Sequence, residues 1–296
     1  MPTATAIQET QDRRIVARTQ GEDMGAFRRL FGPWVARQAP YVPSTFSELL
    51  KPFVFLDVFD SEARAFTPMN SNPNNLHPHS GLATLTFVLS GAMAYEDTSG
   101  ARGVLGEGAV EWFHAGGGAW HGGHLGEGGC RGFQLWIALP PKAELGMVES
   151  VYLPKSDVPK VGPAAVLLGS YRGVASPLPA PSDITYLGVR LKAGERFRFE
   201  PTAQHSVAWA ATARGVLRTP ERAGPGEAIA FEPGGGPIEI EAVEDAEFVL
   251  GSAAPHPHAL SLGYYSVHTS PAALRKGEAR IREIQARLVA EGRLLA

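Results

Sequence analysis

Gly108-Ala109-Val110-Glu111-Trp112-Phe113-His114-Ala115-Gly116-Gly117-Gly118 and Gly226-Glu227-Ala228-Ile229-Ala230-Phe231-Glu232-Pro233-Gly234-Gly235-Gly236 decide the fold. Each runs from a turn glycine through an aromatic-bearing strand to a triple glycine at the same offset. One supersecondary unit written twice points to a duplicated domain. Around the first copy, β-branched and aromatic runs bounded by Gly, Pro and Asn predict strands at 53–59, 82–89, 93–96, 103–105, 109–113 and 133–139. Around the second copy the same reading gives 184–191, 196–199, 207–210, 228–231, 238–242 and 246–250. Many short strands with regular turn signals describe an all-β sandwich or barrel. Residues 154–181, rich in Pro, Gly and Ser, are expected to hold the connection, giving domains 1–160 and 161–296. Residues 1–50 read as an irregular leading arm, and Ser90-Gly91 as the stop of a strand.

The single strong helical pattern lies at the end. Ser270 is a good N-cap and Pro271 suits the first helical position. Leu274, Gly277, Ile281, Ile284 and Leu288 then repeat at three- and four-residue spacing, so this helix is expected to pack on a sheet.

Composition narrows the function. A net charge of −3 over 296 residues gives no footprint for nucleic acid or an anionic membrane. The one cysteine, Cys130, fits a reducing compartment and reads as a small buried apolar residue. The first twenty residues lack the apolar core of a signal peptide, and no run is long enough to cross a bilayer. The expectation is a cytoplasmic protein.

Chemistry concentrates in histidines. His77 and His79, at i and i+2 on an extended segment, project from one face. Imidazole is the commonest protein ligand for transition metals, and His121, after the triple glycine, supplies a third. His205 and His268 read as structural, and His256-Pro257-His258 repeats the spelling without a third partner.

A His-x-His strand, a Gly-rich turn and a later His resemble the cupins, and the finer resemblance is to pirins, which are two-cupin proteins. The segments that carry it are His77-Pro78-His79-Ser80-Gly81, Phe87-Val88-Leu89-Ser90-Gly91, Glu96-Asp97-Thr98, Val110-Glu111-Trp112, Ala115-Gly116-Gly117-Gly118, His121 and Phe133-Gln134-Leu135-Trp136. Ser176-Pro177, Tyr186-Leu187-Gly188-Val189-Arg190-Leu191 and Gly263-Tyr264-Tyr265-Ser266-Val267 extend it into the second half. The resemblance implies two tandem cupin barrels (double-stranded β-helix, jelly-roll type) with a C-terminal helix. It also implies one divalent metal in the first barrel, usually iron(II), on three histidines and a glutamate; nickel, copper and zinc suit the same ligands. The histidines map to His77, His79 and His121, but Gly123 stands where the glutamate belongs. Ala83 stands at a second position that is acidic in many relatives.

Two readings fill the fourth position. His124 replaces the glutamate if the intervening glycines form a bulge, or three histidines share the ion with water. The resemblance further implies a quercetinase-type dioxygenase acting on an aromatic enediol, with the proton-accepting role falling to His124 or His114. The alternative is a non-catalytic metal-binding module that works through a protein partner.

Overall fold

The computed structural model describes residues 13–32, 45–61 and 75–294. The first ten strands are β1 (Ile15–Gln20), β2 (Glu22–Asp23), β3 (Phe27–Phe31), β4 (Phe53–Asp60), β5 (His77–His79), β6 (Leu82–Asp97), β7 (Arg102–Gly106), β8 (Val110–His114), β9 (Ala119–Ala138) and β10 (Glu149–Leu153). The next group is β11 (Lys160–Val161), β12 (Ala164–Tyr171), β13 (Val174–Ala175), β14 (Ile184–Leu191), β15 (Arg196–Phe199), β16 (Val207–Arg214), β17 (Leu217–Thr219) and β18 (Glu221–Ala223). β19 (Glu227–Phe231), β20 (Ile238–Ala242), β21 (Ala246–Ala253), β22 (Ser261–Gly263) and β23 (Ser266–His268) complete the strands, with helices α1 (Thr45–Leu50) and α2 (Pro271–Ala290). No described helix is long and apolar enough to cross a membrane.

Two large sheets carry the architecture. One runs β10-β8-β6-β9-β4-β3-β2 and the other β1-β19-β16-β21-β14-β12-β11. The orders correspond place by place, with the two echo strands, β8 and β19, both second from an edge. The place of β10 in the first sheet is filled in the second by β1, from the far end of the chain, where Arg18 registers with Ile229. Residues 15–20 are therefore a strand, not irregular. Their half-exposed alternation lacks a partner nearby in sequence, so only the tertiary pairing reveals them.

Two further expectations change. Ser90-Gly91 does not stop a strand: β6 continues to Asp97, with register shifts at Val88/Ser90 and Gly91/Met93. Gly91 sits at φ 73°, and a Cβ there would collide with the Gly129 carbonyl, so this is a glycine bulge that bends a long strand. The segment 154–181 contains β12, a full strand of the second sheet, so the connection is confined to its first residues.

The two sheets press together through one apolar layer that includes Leu85, Phe87, Phe133 and Leu135 of the first and Leu168, Tyr186, Trp209 and Val249 of the second. Their other faces differ. In the second barrel that face is filled by Leu187, Val189, Phe197, Phe248 and Leu250, a solid core. In the first it carries Thr86, Glu111, His121 and Gln134 around a cavity of about 120 Å³. Alternation along β9 makes the split: Phe133 and Leu135 face the shared layer, Gln134 and Trp136 the cavity.

α2 closes the first barrel. Ser270 caps it, accepting a bond from the Ala273 N–H at 3.2 Å. Its buried face is Ala273, Gly277, Ile281, Ile284 and Leu288, and Trp120 Nε1 donates to the Ile281 carbonyl at 3.0 Å. Beneath the helix the Ser80 hydroxyl lies 3.0 Å from His268 Nε2, and His268 Nδ1 lies 3.3 Å from Glu144 Oε2. The grouping resembles a hydrolytic triad, but all three residues are buried and Gly277 seals it. It is a lock that fastens the C-terminal segment beside His79.

Candidate metal centre

β5 lies antiparallel to the start of β9, with His77 directly opposite His121 and His79 opposite Ala119. The i, i+2 spacing and this register bring the three imidazoles to one face. Their ligating nitrogens all lie within 4.8 Å of one another, and among the described residues this is the one group so arranged.

Each Nδ1 is already engaged. His77 Nδ1 pairs with the Asn75 carbonyl at 3.0 Å, His79 Nδ1 with the Tyr265 carbonyl at 3.4 Å, and His121 Nδ1 with Glu111 Oε1 at 3.0 Å. The Nε2 atoms of His79 and His121 are buried without a partner. Orphaned buried nitrogens are costly, and neutral imidazoles whose Nδ1 is fixed by an acceptor are the usual form of histidine ligands. Burial, with His121 adding to it, drives His77 down to about 3. Burial and the two neighbouring histidines hold His79 well below its ordinary value. Both rings are therefore neutral at physiological pH, with lone pairs available. The group could hold a metal ion, and its donor set fits a transition metal.

Glu111 is the residue that the sequence reading did not single out. It is buried, its Oε1 faces His121, and its Oε2 accepts the Thr86 hydroxyl at 2.6 Å. Burial raises this carboxyl, but the charge and hydrogen bond of His121 and the bond from Thr86 outweigh it, leaving the value below the ordinary one. Within Val110-Glu111-Trp112-Phe113 it passes for the outward residue of an alternating strand. The clue was Phe113, two positions on and on the same face, whose ring stacks on His121 at 4.3 Å and 5°.

The other candidate residues stand apart. From Leu125 back to His121 the pairing of β9 with β6 is unshifted, so the bulge that one of the two readings required does not form. His124, at an odd offset from His121, is exposed on the opposite face beside Ala94 and lies outside the three-histidine group. His114 sits at the end of β8 with Nδ1 3.1 Å from the Met147 carbonyl, away from the cavity wall. His256 and His258 face each other at 5.5 Å and do not line the cavity either. His205 is buried against Asp183 at 2.8 Å. Cys130 is buried in an apolar cluster with Phe59 and Val88.

Gly123 explains why the glutamate position is empty of side chain. A Cβ there would overlap the Ala94 carbonyl oxygen of the neighbouring strand. Gly123→Glu is therefore expected not to rebuild a fourth ligand but to lower the melting temperature by several degrees, checked by thermal unfolding. Unchanged stability with tighter metal binding would contradict the packing.

Comparison with known proteins follows the same lines. The Pirin family model matches residues 35–137. The Pirin-like protein of Caulobacter vibrioides is 30% identical over 218 residues, covering 71% of this chain and 78% of that relative. Quercetin 2,3-dioxygenase from Acinetobacter baumannii superposes with a TM-score of 0.77 at 19% identity, over 92% of this chain and 98% of its own. The bacterial pirin YhhW from Escherichia coli, solved in complex with nickel(II), gives a TM-score of 0.59 at 19% identity, over 82% and 98%. The two structures share the fold, while the Caulobacter relative carries sequence likeness across both halves. By fold, motif and sequence, this chain belongs to the pirin family.

Proposed function

We propose that the chain is a metal-dependent dioxygenase of the quercetinase type, acting on a flavonol or related aromatic enediol, with the ion held by His77, His79 and His121. The observation that carries this reading is the three-histidine group, with the Nε2 atoms of His79 and His121 buried and unpartnered, two of whose members, His77 and His121, line a cavity walled by Phe55, Phe59, Trp136 and Tyr265. An ion held by these histidines would supply Lewis acidity toward two adjacent substrate oxygens. The likeness to structures named quercetin 2,3-dioxygenase supports the choice of substrate class.

The chain's own residues perform the rest. Glu111 holds the Nδ1 proton of His121, which leaves Nε2 as the donor, and its negative charge replaces in part the one absent at Gly123. Phe55 and Trp136, stacked at 4.1 Å, give the cavity an aromatic lining against which an aromatic substrate packs. Tyr265 adds a second aromatic surface, 5.6 Å from His77, and its carbonyl fixes His79. Gly122 and Gly123 line the same cavity beside His121 with backbone alone.

Dioxygen uptake by metal-loaded protein tests the proposal. Uptake that depends on added quercetin, and that stops in His79→Ala, is the expected result. Fully loaded protein that consumes no dioxygen with any of several flavonols would overturn it, and would favour a metal-binding module without catalysis.

A further inference from the structure

We infer that Arg29 and Asp57 form a second recognition point in this cavity, for a hydroxyl on the part of an aromatic substrate remote from the metal-chelating oxygens. The inference rests on the function proposed above and deepens it.

Phe55, Asp57 and Phe59 alternate along β4, and all three face the cavity. Arg29 stands opposite Asp57 on β3 and also lines the cavity. An unbroken series of ring contacts joins the histidines to this pair. His79 meets the Trp136 ring at 4.7 Å, Trp136 stacks on Phe55 at 4.1 Å, and the Arg29 guanidinium lies 4.8 Å from the Phe55 centroid. His77, His121, Trp136, Phe55, Arg29 and Asp57 all line the one cavity, so a molecule chelated at the histidines can reach Arg29 and Asp57 along it.

The chemistry of the pair fits a hydroxyl. One long hydrogen bond, Arg29 Nε to Asp57 Oδ1 at 3.4 Å, joins the two groups. A guanidinium carries five donors and a carboxylate two acceptor oxygens, so a bond of that length leaves capacity on both. A phenolic hydroxyl can donate to Asp57 while accepting from Arg29. Apolar Phe27, Phe59, Met93 and Leu125 share the cavity wall with the pair, and Gln134, the register partner of Asp57, is a further polar group there. A few polar groups on an apolar wall are what fixes a ligand's orientation.

Stability gives no reason for the pair. Asp57 is 7% exposed, in a strand whose other residues are nearly all apolar. A buried ion pair is commonly no better for stability than apolar residues of similar size. A buried charge pair that stability does not explain, set in a cavity wall, points to a role in binding.

Equilibrium binding of two flavonols to nickel-loaded protein without dioxygen tests the inference. 3-Hydroxyflavone has the chelating oxygens and no other hydroxyl, whereas quercetin adds hydroxyls on both remaining rings. The wild-type protein is expected to bind quercetin about tenfold more tightly, and Arg29→Met and Asp57→Asn to lose about that factor for quercetin while holding 3-hydroxyflavone within about twofold. Because the two ligands are compared in one variant, a general loss of fold does not imitate this result. Equal losses for both ligands, or no change for either, overturn the inference alone. Wild-type protein that binds neither flavonol overturns the proposed substrate class, and the recognition point with it.

Discussion

Gly277→Ala is expected to lower the stability of this protein by about 2 kcal/mol or more, although alanine is the better helix former by roughly 1 kcal/mol. Gly277 lies mid-helix on the buried face of α2. A Cβ at this position would collide with His268 Nε2 and come within 2.5 Å of the Ser80 hydroxyl oxygen. Neither group can retreat: Ser80 is bonded to Ser266 at 2.8 Å, and Glu144 on the other side of His268 is held by Thr269 at 2.6 and 2.7 Å. The helix must therefore lift, and the damage spreads to the metal centre. Ser80 follows His79 in sequence, while Trp120, bonded to the helix at Ile281, precedes His121. Thermal unfolding with and without metal checks this. A higher melting temperature in the variant would show that helix propensity wins and that α2 is not seated as described.

Asp57→Asn is expected to have the opposite sign, raising stability by about 2–3 kcal/mol at pH 8. Burial pushes the Asp57 carboxyl up to about 6, with Arg29 pulling it down and Glu22 adding slightly to the rise. A carboxyl with a folded value above its unfolded value of 3.8 binds its proton more tightly in the folded state. Its favourable contribution is complete below 3.8 and is lost as the pH rises through about 6. Asparagine imitates the neutral form at every pH, so the gain over wild type opens between pH 4 and pH 6 and vanishes at the acid end. Melting temperatures of both proteins across that range measure it. A gain that does not change with pH, or a loss at pH 8, would show that the carboxylate is well solvated where it stands.

Together these substitutions separate the two parts of the first barrel. One loosens a lock that exists for stability, and the other relieves a charge that stability does not explain.

Much of the fold was legible because local signals and the duplication agreed. The glycine-flanked strand ending in a triple glycine was recognisable twice, and the two copies occupy the same place in their sheets. Ser270 and Pro271 announced α2, whose buried residues match the expected stripe except that Ala273 is buried in place of Leu274. What stayed hidden depends on partners distant in sequence. β1 is a strand only because β19 receives it, and Gly277 reads as a weak helix residue until His268 and Ser80 lie beneath it.

The site divides in the same way. His77, His79 and His121 were readable from spacing and motif, since a period of two and one register bring them together. His124 drew attention through its distance along the chain, but β9 stays regular there and the strand period carries it to the outer face. Glu111 and Asp57 were hidden for a shared reason: each is a lone carboxylate in an apolar run, and which face it takes is set by the sheet. In register they belong to one polar row across the barrel wall, Asp57 beside Gln134, Gln134 beside Thr86, and Thr86 beside Glu111.

Elemental analysis tests most directly that His77, His79 and His121 hold the ion with no fourth side chain from Gly123 or His124 of β9. Wild type and the His77→Ala, His79→Ala, His121→Ala and His124→Ala variants are loaded with the same metal and desalted. About one ion per chain is expected in wild type and in His124→Ala, and less than about a tenth of that in each of the other three. Retention of the ion after loss of His79 or His121, or its loss from His124→Ala, would contradict it.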